Sequence, residues 1–217
     1  ETFRKLLMSR AVIFALVCFS IISVSTLAFG NDDVRQVDAE DTRELLKKAE
    51  KLKRQGEMAE AEKILRRILK ISPDDVKAKL TLAYALLQQR KLNEAYVLSV
   101  EVAKADPNNS FAFAVIGGAL LNVGEFENAK LAFNNSIYLN KREALAWAGL
   151  GMLDFYENRI SDSLDKLREA VYYEPQEPDY VFALGQVSAR AEKYKEAAEA
   201  YETFLRIAMR NDVDWRE

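Results

Sequence analysis

The chain contains no histidine and one cysteine, Cys18, which lies inside an apolar run near the N-terminus. Zinc sites built on Cys and His, Ser–His–Asp triads, Cys–His nucleophiles and disulfide frameworks are therefore excluded. Proline is scarce at four residues and glycine at eight of 217, too few for collagen-like or low-complexity chains. No glycine-rich phosphate loop follows a strand, and the hydrophobic pattern predicts no strand at all. Acidic residues exceed basic ones by 34 to 31, a poor balance for gripping nucleic acid, which rests on neutralising phosphates. What remains is a globular composition, 49% hydrophobic and 30% charged, with neither cofactor nor metal ligands, pointing to binding rather than catalysis.

Ala11 to Gly30 reads as twenty residues without a charge, preceded by Arg4, Lys5 and Arg10. With Met8 taken as the start, this is a basic n-region and an apolar h-region, and Ala28 and Gly30 supply small residues for cleavage before Asn31. The rival reading is an uncleaved anchor, since twenty apolar residues just span a bilayer. Either way the remainder is expected outside the cytoplasm, periplasmic or secreted after cleavage, or held at the membrane by residues 1–30. Residues 31–217 carry 28 basic and 33 acidic groups, net −5, and no cysteine, which suits an oxidising exterior.

Residues 31–41 read as a charged linker. A spacing of 34 then takes over. It separates Ala61 from Ala95, Pro73 from Pro107, and Gly117 from Gly151 and Gly185. Five blocks follow without insertion, 42–75, 76–109, 110–143, 144–177 and 178–211, leaving 212–217 as a tail or the start of a capping helix marked by Trp215. Each block holds two amphipathic helical stretches: Phe113, Ile116, Gly117 and Leu120 mark one, Gly124 opens a turn, and Phe126, Ala129, Phe133 and Ile137 mark the next. Gly117, Gly151, Gly185, Ala61, Ala95, Ala129 and Ala197 are expected where helices meet closely. Pro73, Pro107 and Pro175 are expected where helices have ended.

Trp147-Ala148-Gly149-Leu150-Gly151 matches the W-x2-L-G motif of the tetratricopeptide repeat family, whose period is 34 residues. Phe113 with Ile116-Gly117, and Val181 with Leu184-Gly185, are close variants; Leu82-Ala83 and Lys48-Ala49 are weaker, and Ser163 replaces a packing alanine. The chain thus resembles that family. The resemblance implies an all-α solenoid of five helix-turn-helix repeats whose first helices line a concave groove.

Family positions 2, 5, 9, 12 and 13 place Leu80, Tyr84, Leu87, Phe111, Leu121, Leu145, Met152, Phe155, Tyr156 and Phe182 on that groove, with Lys53, Arg54, Gln88, Asp179 and Arg190 among the polar members. The Lys and Asn constellation by which related repeats clamp a terminal carboxylate is absent: Leu46/Glu50, Leu80/Tyr84 and Ala114/Gly118 stand where it would begin. An apolar stripe favours an amphipathic helix or an extended apolar peptide. The same residues also read as inter-repeat packing, with Gly118, Ala148 and Gly149 letting first helices touch, or as a groove filled by the chain itself or a second copy. Lys47, Lys48, Lys51, Lys53 and Arg54, interleaved with Glu44, Glu50 and Glu57, read as a solvated helix face. Asp154 is expected either to pair with Arg190 or to tilt to water. The sum is a non-enzymatic protein-binding adaptor, acting in envelope, secretion, pilus or cytochrome-maturation assembly; the alternatives are a membrane-anchored scaffold subunit and an accessory domain of a larger enzyme.

Overall fold

The computed structural model describes residues 41–213, with side chains described through Met209. The apolar segment 11–30, the linker before residue 41 and Trp215 lie outside the described residues. No helix among the described residues is long and apolar enough to cross a membrane.

Ten helices and no strand make up the described chain: α1 (41–54), α2 (Met58–Ile71), α3 (Val76–Gln88), α4 (Leu92–Ala105), α5 (Ser110–Asn122), α6 (Phe126–Leu139), α7 (Ala144–Tyr156), α8 (Ile160–Tyr173), α9 (Pro178–Arg190) and α10 (Tyr194–Val213). The odd-numbered helices from α3 begin at 76, 110, 144 and 178, and the even ones at 58, 92, 126, 160 and 194, a strict 34-residue step. Consecutive helices pack as pairs within residues 45–217, and each pair packs on the next. The expected all-α helix-turn-helix architecture is the one observed.

Local chemistry explains the punctuation. Pro73, Pro107 and Pro175 sit in the turns between repeats, where a residue without an N–H and with fixed φ cannot extend the preceding helix. Between the two helices of a repeat, one residue always takes the left-handed conformation: Gly56, Arg90, Gly124, Asn158 and Glu192, with φ between 59° and 86°. The residue after each one donates its N–H to a carbonyl in the last turn of the preceding helix, as in Lys91 to Leu86 at 2.9 Å and Arg159 to Asp154 at 2.8 Å. This satisfies carbonyls that the end of a helix would otherwise leave bare.

The core runs as a chain of clusters between helix pairs. Leu65, Ile68, Leu82, Leu86, Phe133, Leu153, Leu164 and Leu167 are fully buried. Phe133 shows what the small residues do. A Cβ on Gly117 would stand 2.6 Å from its ring, and one on Gly149 would run into the same ring from the next repeat. Two glycines thus make the slot that one phenylalanine fills, and α5, α6 and α7 share it. Ser163, which replaces the usual alanine, is also fully buried, and its hydroxyl donates to the Gly151 carbonyl at 2.7 Å. Its polar atom is thereby paired, as burial requires.

Candidate functional site

Of the first helices α3, α5, α7 and α9, two carry a side-chain N-cap. Asp75 and Asn109 stand just before α3 and α5, and each accepts a hydrogen bond from the backbone N–H of the third residue on, Ala78 at 2.9 Å and Ala112 at 3.1 Å. Glu143 and Glu177 hold the same place before α7 and α9, yet neither side chain caps its helix. Glutamate has one methylene too many for the tight capping geometry that favours Asp, Asn and Ser. Glu143 instead accepts from the Ser110 hydroxyl at 2.9 Å.

The ten residues assigned to the groove divide into three groups. Leu80, Tyr84 and Leu87 are buried, with Tyr84 only 3% exposed. Phe111, Leu121, Leu145, Met152 and Phe155 are half-buried. Tyr156 and Phe182 are exposed, at 57% and 40%. The assignment of Tyr84 to the groove surface is thus corrected. Its ring meets Phe111 at 6.0 Å between centroids, the Lys53 ammonium lies 5.0 Å above it, and Gln88 donates to its hydroxyl at 2.8 Å. Leu87 fills the space beside Gly118, where a Cβ would lie 2.7 Å from its Cδ2. In this part of the stripe the packing reading holds.

The cover comes from the adjacent repeats, through Lys53 of α1 and Phe111 and Gly118 of α5. The Gln88 amide at the end of α3 donates both to Tyr84 and, at 3.0 Å, to the Asp179 carboxylate at the start of α9. Ninety-one residues separate the partners, so the second repeat meets the fifth across the inner face. Beside this contact lies a cleft of about 620 Å³, lined by Lys51, Lys53 and Arg54 of α1, Gln88 of α3, Glu177 just before α9 and Asp179 in its first turn. Burial, reinforced by the Asp179 and Glu174 charges, pushes the Glu177 carboxyl up to about 7. Burial likewise raises Glu143 against the opposing pull of the Ser110 hydrogen bond, and holds the Tyr84 and Tyr180 hydroxyls well above their ordinary value.

The other half of the stripe stays open. Tyr156 stacks on Phe126 at 5.8 Å and lies 6.3 Å from Phe155, while Met152 on α7 and Leu121 on α5 are half-buried. Phe182 leans on Phe204 and Tyr201 of α10; it holds the repeat position of Leu80, Ala114 and Ala148, which are buried.

Asp154 neither pairs with Arg190 nor tilts to water. It is 3% exposed and forms ion pairs with Arg159 and Lys166. Burial alone would raise its pKa, but the Lys166 and Arg159 cations outweigh that and hold the carboxyl below the usual range. Glu62 on α2, at a different repeat position, is a second buried acid, bound by Arg66, Lys91 and Gln89. Among the described residues no three His, Cys, Asp or Glu side chains gather as a metal site.

Missed by the sequence reading were Glu143, Glu177 and Tyr180. A signal for the last was present: Ala78, Ala112 and Ala146 occupy the equivalent position in three repeats, and tyrosine replaces alanine only in the fifth.

Stacked helix pairs with an inward-facing, partly open apolar stripe define an α-solenoid scaffold. Models described as Tetratricopeptide repeat match residues 52–116 and 148–212, and the chain belongs to the tetratricopeptide repeat family. The fold is in general one for protein–protein interaction rather than catalysis. Anaphase-promoting complex subunit 3 of Schizosaccharomyces pombe is 25% identical over 126 residues, covering 58% of this chain but only 19% of that protein, so the chain spans about a fifth of its length. Among solved structures, TTC0263, a thermophilic TPR protein of Thermus thermophilus, aligns with TM-score 0.67 at 21% identity, over 81% of this chain and 95% of its own. The structure of pilF from Pseudomonas aeruginosa aligns with TM-score 0.55 at 16% identity, over 78% and 77%. Both share the fold.

Proposed function

We propose that the chain is a non-enzymatic adaptor that holds an apolar or amphipathic segment of a protein partner along the open half of its inner face, formed by Leu121, Met152, Phe155, Tyr156 and Phe182. The observation that carries this reading is the aromatic pair Phe155 and Tyr156, left half-buried and 57% exposed in a family of interaction scaffolds. Aromatic side chains bury large area with few rotamers to lose, and they dominate binding energy where they are accessible. A few large apolar side chains, each contributing roughly 1.5–3 kcal/mol on leaving water, suffice for micromolar affinity after association costs. The S. pombe relative is by its name a subunit of a complex, which accords with a scaffold role.

The uncharged run Ala11–Gly30 supports a place of action outside the cytoplasm, after cleavage before Asn31, and family analogy supports a role in the assembly of an envelope, secretion, pilus or cytochrome-maturation machine. The same run supports an anchored scaffold if it is retained. N-terminal sequencing of the protein from its native cell decides between them, Asn31 for cleavage and an intact start for the anchor. Selection from an unbiased displayed-peptide library tests the groove. Wild type should enrich apolar and amphipathic sequences, and the Phe155→Ser/Tyr156→Ser variant should lose them while melting like wild type. Enrichment that survives the double substitution would defeat the assignment.

A further inference from the structure

Two positions of the second helix are closed in four repeats and left open in the fifth. Leu65, Ser99, Phe133 and Leu167 share one of them and are 0% exposed; Ile68, Val102, Ser136 and Ala170 share the other and are at most 2% exposed. The fifth repeat holds Tyr201 and Phe204 there, and both are only half-buried. Beside them Leu205 is 56% and Met209 68% exposed. Tyr201, Phe204, Leu205, Ala208 and Met209 fall at i, i+3, i+4, i+7 and i+8, one apolar stripe along α10. Phe182 of α9 widens it, with its ring 5.2 Å from that of Phe204. The end of a solenoid ordinarily carries a polar outer face, and a continuous apolar row left in water marks an interaction site.

The helix that bears the stripe also breaks the register. Ser72-Pro73, Asp106-Pro107, Asn140-Lys141 and Glu174-Pro175 follow the four earlier second helices, each of 14 residues. Ala208-Met209 stands in their place, and α10 runs on to 20 residues. It is still helical where the 34-residue step from Pro178 would start a sixth first helix. Without the proline nothing stops the helix, and the face that the next repeat would cover is lengthened by two turns instead.

We propose that this stripe is a second docking surface, which seats an amphipathic helix of a protein partner where a sixth first helix would stack. It goes beyond the inner-face reading and does not use Phe155 or Tyr156. The interfaces inside the stack give the chemistry of the occupant, because the stripe continues them. Tyr180, Leu184 and Val187 of α9 join Leu164, Leu167 and Ala170 of α8 in one cluster. Ala146, Leu150 and Leu153 of α7 join Ala129 and Phe133 of α6 in another. The same spacing holds Ala78, Leu82 and Ala85 on α3, and Ala112, Ile116 and Ala119 on α5, all buried. Each occupant thus presents leucine or isoleucine at i+4, alanine at i in three of four, and an aliphatic side chain at i+7. The fitting partner is a helix with the pattern Ala-x3-Leu-x2-Ala, laid against the stripe by its apolar face. A second copy fits worse: its first helices are buried in its own stack, and its α10 offers Tyr, Phe, Leu and Met where the internal occupants offer small residues.

Fluorescence-polarisation titration of the full chain tests this with two labelled helical peptides of equal composition in a Glu/Lys/Gln host. One carries Ala-x3-Leu-x2-Ala repeated along a single face, and the other scatters the same Ala and Leu around the helix. The striped peptide should bind saturably, about tenfold or more tighter than the scattered one. Leu205→Gln/Met209→Gln keeps helix-forming residues at exposed positions, so it should melt like wild type and weaken the striped peptide about tenfold. Met209→Gln alone should weaken it about two- to threefold. Phe155→Ser/Tyr156→Ser should leave that binding within about twofold, which keeps the end face distinct from the inner face. No binding by the striped peptide, equal binding of both peptides, or a preference that survives Leu205→Gln/Met209→Gln overturns the proposal. Loss of the preference in Phe155→Ser/Tyr156→Ser moves the helix to the inner face and overturns it too. Sedimentation equilibrium without peptide should show a monomer; self-association abolished by Leu205→Gln/Met209→Gln would put a second copy on the stripe and overturn the partner helix.

Discussion

Repeats two and four present the same three groove positions with opposite results. In repeat two they are Tyr84, Leu87 and Gln88, the first two buried and the third tied across the inner face to Asp179. In repeat four they are Met152, Phe155 and Tyr156, half-buried to exposed. The helices are of equal length and share one register, α3 over Val76–Gln88 and α7 over Ala144–Tyr156. Position within a repeat therefore sets which way a side chain points, and the side chains of the adjacent repeats set whether anything meets it there. On α3, packed between α1 and α5, groove residues have become core. On α7 the same positions remain a partly open surface.

The sharpest way to break this comparison is truncation on both sides of it. Tyr84→Ala should cost about 3–5 kcal/mol, the range for deleting a buried aromatic. Phe155→Ala should cost less than about 1 kcal/mol, because part of its area is already in water. Urea midpoints measure both. Equal losses would mean that the two repeats are equally closed.

That contrast also marks what could be read from the chain alone. The helical period, the turns at Pro73, Pro107 and Pro175, and the glycine slots were legible because each is a nearest-neighbour property of a repeat, and solenoids are built from such contacts. Contacts that skip repeats leave no trace in a 34-residue register. Gln88 to Asp179 is one of these, whereas Tyr84 is covered by Lys53 and Phe111 of the adjacent repeats. Asp154 was misassigned for a related reason. Its partners Arg159 and Lys166 sit in the following turn and second helix of its own repeat, closer than the Arg190 that the register suggested. Of the candidate stripe, the half around Phe155 and Tyr156 kept the exposure it was assigned, and the half around Tyr84 did not.

The register beneath the comparison is open to a second test. A side chain at Gly151 has no room, because its Cβ would stand 2.8 Å from Leu167 Cγ and 3.3 Å from the Ser163 carbonyl oxygen. Gly151→Leu should destabilise by roughly 1–3 kcal/mol through overpacking. The same denaturation experiment reads it, and a neutral result would place α7 in a different rotation.

Acidity separates the closed centre from the outer ion pairs. Asp154, Glu62 and Glu196 have carboxyls held below their ordinary values, so their stabilisation is complete above the ordinary carboxylate range and fades as pH falls through the lowered pKa. Glu177, at about 7 in the folded chain, acts in the opposite sense. Its contribution is complete below the ordinary value of 4.5 and is lost as pH rises toward 7 and beyond. Stability should peak near about pH 5 and fall by roughly 1–2 kcal/mol by about pH 8, a figure discounted for solvent screening. Glu177→Gln should flatten the fall on the neutral side of that peak and leave the acid limb untouched. A slope unchanged by that substitution would show that the carboxylate is solvated and the centre open.

The smallest effect contrasts the turns of the same two repeats. Arg90 in repeat two and Asn158 in repeat four both lie in the left-handed region, with φ of 62° and 60°. For most side chains that conformation brings Cβ against the following carbonyl, at a cost of roughly 1 kcal/mol, whereas asparagine visits it readily. Glycine has no steric penalty there but loses more chain entropy on folding. Asn158→Gly should accordingly be near neutral. Arg90→Gly should stabilise by up to about 0.5–1 kcal/mol, reduced somewhat because the Arg90 guanidinium donates to Asn122 across the repeat boundary. Arg90→Asn separates the two contributions: it keeps a side chain, relieves the strain and removes the long reach to Asn122. If Arg90→Gly gains stability and Arg90→Asn gains about as much, backbone strain decides the turn. If both lose, the Asn122 hydrogen bond outweighs the strain, and repeat two is fastened to repeat three at its turn as well as at its inner face.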